Sequence, residues 1–236
     1  MSLSIGTIGL ASFYGPAYAE RAARRADCTV EAVAAPATDD EALAALNRPT
    51  PSSFAETHDC HRCGDIESVL DAVDAVTVAT PITRRAAHVS RVLERDLPTL
   101  VAKPAAGDPD AAVRLASAAT DTSAPLLFTR PARYDDAIVG VADRVADGTI
   151  GDVIAVRADI RHDCVPAQGI EYNAEHAPEE AGSAYSMAVY TADALLWLAT
   201  GEPTRVTAEY ENANTPTVRI RTWGPRPSGT TMGRSG

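Results

Sequence analysis

Three places in this sequence hold residues whose types and spacing could do chemistry. The first is Gly9-Leu10-Ala11-Ser12-Phe13-Tyr14-Gly15, directly after a short apolar run. A glycine-bearing turn between a strand and a helix lets the backbone approach a pyrophosphate at the helix N-terminus. Gly9 supplies the tight turn, Ala11 stands where close approach is wanted, and Ser12 and Phe13 complete the candidate phosphate-binding segment. The acid that usually holds the ribose hydroxyls after the second strand is missing: Ala34-Ala35-Pro36 stand there, and Asp39 and Asp40 come later. NAD therefore loses its usual selection, and NADP is not repelled. Arg24, Arg25 and Arg84 are either partners for a 2′-phosphate or solvated surface arginines.

The second place is Lys103, the only lysine among 21 basic residues. A compact ammonium that can give up its proton differs chemically from guanidinium, so its retention points to a site; the alternative is an exposed lysine at a strand end. The third is Cys60-His61-Arg62-Cys63, with His58 ahead of it. A zinc site needs four ligands, and no second CxxC or HxxxH completes one, although His162 and Cys164 could contribute from a distance. The favoured reading is a short strand and loop that contain thiols, with no metal.

Strand and helix patterns alternate through the first half. Strands are expected at Leu3–Ile8, Thr29–Ala34, Ala75–Ala79, Thr99–Ala102 and Pro125–Phe128. Helices are expected at Tyr18–Arg25, Asp40–Leu46, a segment capped by Asp65, Thr83–Arg95 and Pro109–Ala119, with a Pro/Ser loop over Asn47–Ser53. Such alternation predicts a doubly wound parallel sheet that binds ligands at the carboxyl ends of its strands. Further on, Asp135–Ala146 and Ser183–Ala199 read as helices. Asp152–Arg161, Thr204–Tyr210 and Thr217–Thr222 read as strands, and His162–Ala181 as a polar loop. The domains are expected at 1–128 (dinucleotide-binding) and 129–223 (a short α+β substrate domain), with a disordered tail over 224–236.

Thirty-two acidic residues against 21 basic ones give a net charge of −11, which argues against nucleic-acid or anionic-membrane partners. No apolar run reaches spanning length and no leader is evident, so a cytoplasmic protein is expected. The acid-rich, nearly lysine-free composition suits a salt-loving source.

Asp74-Ala75-Val76-Thr77-Val78-Ala79-Thr80-Pro81, a helix, and then Leu100-Val101-Ala102-Lys103-Pro104 resemble the glucose–fructose oxidoreductase and inositol dehydrogenase (Gfo/Idh/MocA) family. So do Arg130 to Arg133 and Gly148-Thr149-Ile150-Gly151, and the match extends to about Tyr210. The resemblance implies a Rossmann-type doubly wound parallel sheet followed by a shortened α+β domain, with NAD or NADP as cofactor. It places Ala79, Thr80, Pro81 and Lys103 at the cofactor, and makes Lys103 catalytic, next to the nicotinamide and the substrate hydroxyl; Ala102 replaces the family's glutamate. In Gly182 to Asp193 it retains the family's final acid as Asp193 but puts Ser186 for an aspartate and Tyr190 for the proton-transferring histidine. Tyr190 is then either a general acid tuned by a nearby lysine or a core tyrosine on an apolar helix. Arg133, Ser186, Tyr190 and Asp193 become the implied substrate contacts. Assembly into a homodimer or homotetramer through the C-terminal sheet is also implied.

The resulting reading is an NAD(P)-dependent oxidoreductase acting on a sugar, cyclitol or related polyol. The alternatives are a dinucleotide-binding or partner-binding paralogue without turnover, and a metal or redox sensor built on Cys60 and Cys63.

Overall fold

The structure, a computed structural model, describes residues 2–161, 183–199 and 201–207, with the backbone alone for 183–186. Six parallel strands form, four of them from segments that carry Val, Ile or Thr, whose stiff branched side chains pack well on a pleated surface. The six are β1 (Leu3–Ile8), β2 (Cys28–Ala34), β3 (His61–Arg62), β4 (Ala75–Val78), β5 (Thr99–Val101) and β6 (Leu126–Phe128). Their spatial order is β3-β2-β1-β4-β5-β6, so the chain turns back between β1 and β4. β4 is buried along its whole length, as a central strand covered on both faces must be.

Side-chain caps set most helix starts. Asp39 caps α2 (Asp40–Ala45), Asp65 caps α4 (Ile66–Leu70), Asp108 caps α6 (Pro109–Thr120) and Asp135 caps α7 (Asp136–Ala146). The expected Pro/Ser loop is interrupted by α3 (Pro51–His58). Thr50 accepts from the Ser53 N–H, and Pro51 takes the first helical position, where a missing N–H costs nothing. The other helices are α1 (Tyr14–Ala23), α5 (Ile82–Leu93) and α8 (Ser183–Leu198), with a 3-10 turn over Pro131–Tyr134.

Two apolar layers flank the sheet. On one side Leu10, Ala19, Val33, Leu43 and Phe54 join α1, α2 and α3 to β2. On the other Val69, Val76, Val78, Val89, Val92, Val101 and Leu115 join α4, α5 and α6 to the central strands. On the α1 side, near the strands' amino ends, an apolar cleft of about 340 Å³ is lined by Ile5, Tyr18, Ala22, Leu100 and Leu127. Leu127 is 52% exposed there, so among the described residues this part of the sheet face lacks a cover.

Beyond β6 the expectations separate. α7 and α8 form, but Asp152–Arg161 adopts no regular structure and Ile154 is 98% exposed. A strand exists only through its ladder, and no described strand pairs with this segment. Residues 204–207 likewise form no strand. The remainder of that expected strand, the Thr217–Thr222 strand, the 162–181 loop and the 224–236 tail lie outside the described residues. No helix among the described residues is long and apolar enough to cross a membrane.

Candidate functional site

The β1–α1 turn lies where the strand order reverses, against the β4–α5 turn. Gly9 has a left-handed φ of +95°, its N–H donates to the Ala34 carbonyl at 2.8 Å, and a Cβ there would fall 2.5 Å from the Thr80 nitrogen. A Cβ on Gly15 would collide with the Gly9 carbonyl oxygen. Both glycines are thus required by close backbone approach. Ala79 donates to the Ile8 carbonyl at 2.8 Å, drawing the end of β4 beside the turn. Ala79 and Thr80 are fully buried, the Thr80 hydroxyl has no hydrogen-bond partner, and Pro81 starts α5.

Ser12 Oγ accepts from the Tyr14 N–H at 3.3 Å, while Phe13 at the N-cap of α1 contributes no side-chain cap. This backbone cradle, at a helix start whose N-cap residue supplies no side-chain bond, fits a dinucleotide pyrophosphate. Ala11 is 3% exposed with its methyl in the α1-side core, so any part it takes is through its backbone.

Lys103 follows β5 by two residues and is 7% exposed, which removes the reading of an exposed strand-end lysine. Its Nζ lies 4.5 Å from the centroid of the Tyr190 ring, brought there by α8. The lysine therefore meets the ring face of Tyr190, while the Tyr190 hydroxyl bonds the Tyr14 hydroxyl at 2.7 Å. Burial, then the bond to Tyr190, pushes the Tyr14 phenol far above its ordinary range. Below them Tyr18 donates to Thr129 Oγ1 at 2.7 Å, and burial pushes Tyr18 up to about 12. Tyr14 and Tyr18 thus stay protonated at neutral pH.

Asp193 joins α8 to the 3-10 turn. Arg133 donates to it through Nε and Nη2, each at 2.9 Å, and Arg130 through Nη1 at 3.2 Å. The Arg133 guanidinium also stacks 4.9 Å from the Trp197 ring centroid. Lys103, Thr129, Arg130, Val189, Tyr190 and Asp193 line a narrow crevice with no room for a water molecule. Ser186 lies on α8 with only its backbone described.

Arg85, which the sequence reading passed over, is 3% exposed. It donates to the Thr80 carbonyl at 2.6 and 3.0 Å, to the Ala102 carbonyl at 3.2 Å and to the Pro104 carbonyl at 2.5 Å. One guanidinium thus clamps the β4–α5 turn to the residues on both sides of Lys103. Its spacing from Val89 and Val92 on the buried stripe of α5 was the available signal.

Arg24 and Arg25 do not serve a 2′-phosphate. They end α1 at the amino edge of the sheet, paired with Glu20 and Asp27, and the Asp27 carbonyl bonds the first residue of β1. Cys60 and Cys63 flank the two-residue β3. Burial pushes the Cys60 thiol up to about 11 and raises Cys63 as well. Among the described residues no three His, Cys, Asp or Glu side chains group as a metal site; His162 and Cys164 lie outside them.

Strand order, switch-point glycines and buried lysine define a Rossmann-type dinucleotide-binding protein. Residues 3–129 match the model of the oxidoreductase family's NAD-binding Rossmann fold (Gfo/Idh/MocA), and residues 138–227 match the Gfo/Idh/MocA C-terminal domain. The chain belongs to the Gfo/Idh/MocA family.

Among solved structures it is similar to apo scyllo-inositol dehydrogenase from Lactobacillus casei, with a TM-score of 0.66 at 17% identity, covering 84% of this chain and 55% of that one. It is also similar to Lactobacillus casei myo-inositol dehydrogenase in complex with NAD(H) and myo-inositol, with a TM-score of 0.55, 24% identity and coverage of 64% and 43%. A 3-ketoreductase from Actinomadura kijaniata in complex with NADP gives 0.50, 22% identity and coverage of 64% and 46%. The chain spans about half the length of these structures. A comparison with curated proteins returns no match.

Proposed function

We propose that this chain is an NAD(P)-dependent oxidoreductase acting on a sugar, cyclitol or related polyol, and that Lys103 and Tyr190 handle the proton of the substrate hydroxyl. The observation that carries the reading is the buried Lys103 ammonium, 4.5 Å from the ring of Tyr190, whose hydroxyl bonds Tyr14 at the start of α1. When bound, the nicotinamide supplies the acceptor or donor of a hydride. Gly9, Ser12 and Phe13 would hold the pyrophosphate by backbone, and Ala79, Thr80 and Pro81 would contact the rest of the dinucleotide from the neighbouring turn. Lys103 would orient and polarise a hydroxyl oxygen, and the Tyr190 hydroxyl would accept the substrate proton while passing its own to the Tyr14 hydroxyl bonded to it, which releases one to solvent. Arg133, Ser186 and Asp193 bound the substrate side.

One observation favours a second reading, dinucleotide binding without turnover: Arg133 and Arg130 already occupy the Asp193 carboxylate, and the crevice above Lys103 is closed. NADH and NADPH titrations by cofactor fluorescence, followed by a turnover screen of sugars, inositols and diols, separate the two. Binding with turnover of at least one polyol is the expected result. Binding with no turnover on any of them establishes the second reading.

A further inference from the structure

We infer that Arg48 makes this chain prefer NADP over NAD by taking the 2′-phosphate of the adenosine ribose, an inference that rests on the dinucleotide reading of the Gly9 turn. Arg48 sits in the link between α2 and α3. Its backbone is fixed from below: the Arg48 N–H donates to the Leu43 carbonyl at 2.8 Å, and Leu43 is fully buried. Its side chain reaches the β1–α1 turn, where Nε donates to the Ala11 carbonyl at 3.4 Å and the guanidinium carbon lies 6.0 Å from the Phe13 ring centroid. A backbone oxygen and an aromatic ring thus place the guanidinium beside the phosphate cradle, in the link that follows β2 and α2, before any ligand arrives. Such preorganisation reduces the ordering cost of binding.

The charge environment points the same way. The bond to Ala11 uses Nε and leaves the Nη1–Nη2 fork, a shape that receives a phosphate in two parallel bonds. The ion pairs of the described residues do not include Arg48. The end of β2 is Ala34-Ala35-Pro36, so no carboxylate stands where the ribose hydroxyls of NAD are usually held and a 2′-phosphate repelled. The next acids face another task. Asp39 accepts from the Ala42 N–H at 2.8 Å as the cap of α2, and Asp40 lies in that helix's first turn. Arg24 and Arg25, which follow α1, are paired with Glu20 and Asp27 at the opposite end of the sheet.

The test is equilibrium titration of the full chain with NADPH and NADH, followed by cofactor fluorescence, for the wild type, Arg48→Gln and Arg48→Lys. Thermal midpoints confirm that all three fold. The wild type should bind NADPH at least about 10-fold more tightly than NADH, and Arg48→Gln should weaken NADPH by about 10- to 100-fold, the scale of losing a charged hydrogen bond. NADH affinity should stay within about 2-fold, and Arg48→Lys should fall between, keeping charge without the fork. Equal or tighter binding of NADH by the wild type overturns the inference and leaves the dinucleotide reading standing. An equal loss for both cofactors in Arg48→Gln also overturns it and reduces Arg48 to a residue that shapes the turn. Binding of neither cofactor overturns the dinucleotide reading and this inference together.

Discussion

The ammonium of Lys103 rests on an aromatic face in a buried site, where attraction to the ring quadrupole reaches about 2 kcal/mol. That contact helps to orient the lysine. Arginine would keep the charge, but its planar fork is wider and holds its proton at working pH. With any polyol that turns over, Lys103→Arg should lower kcat by about two to four orders of magnitude, the usual loss of a positioned proton-transfer group. The Kd for NADPH or NADH should change far less. A kcat within a factor of about two of wild type would remove Lys103 from the chemistry. Because burial holds Tyr14 protonated well beyond neutral pH, its titration should not enter the activity profile.

At the level of the element, the turn after β1 is held by glycines that answer different constraints from those elsewhere. Gly9 combines a φ of +95° with a hypothetical Cβ 2.5 Å from a backbone nitrogen of the neighbouring turn. Gly148, after α7, has a φ of +74° and nothing within 4 Å. An alanine at Gly148 therefore meets only the left-handed penalty, about 1–2 kcal/mol. An alanine at Gly9 adds a clash that only separation of β1 from β4 can relieve, so the loss should exceed about 3 kcal/mol. Chemical denaturation of Gly148→Ala and Gly9→Ala measures both, and Gly9→Ala should also lose dinucleotide binding. Equal costs at the two positions would show that the turns are not in the described contact.

Over the whole molecule, the parallel sheet is closed by helices on one face and only partly on the other, where the 340 Å³ cleft lies open beside α1. Cys60 and Cys63 line neither the cleft nor the Lys103 crevice. Their raised pKa values favour the protonated thiol, a poor metal ligand and weak nucleophile. A Cys60→Ser/Cys63→Ser double variant should keep its thermal midpoint within about a degree or two, as for changes away from special structural features. Stoichiometric zinc in the purified protein, lost together with stability in that variant, would contradict this.

The residue pattern by itself determined the alternation of strands and helices through Phe128, the Gly9 turn at the first strand's end, and Lys103 as the lysine worth explaining. These features are local: period, caps and the chemistry of one side chain. Even the overlooked helix α3 was announced locally, by Thr50 before Pro51. Only the tertiary structure decided which groups meet. It set the ring face of Tyr190, with Tyr14 on its hydroxyl, against Lys103, and turned Arg133 and Asp193 onto each other. It threaded Arg85 between two strand ends and carried Arg48, rather than Arg24 or Arg25, to the phosphate turn. Such meetings join residues far apart in the chain, and they depend on strand order and helix direction rather than on any local pattern. The absent strand at Asp152–Arg161 has the same cause: alternation shows that a segment can pair, and a neighbouring strand decides whether it does.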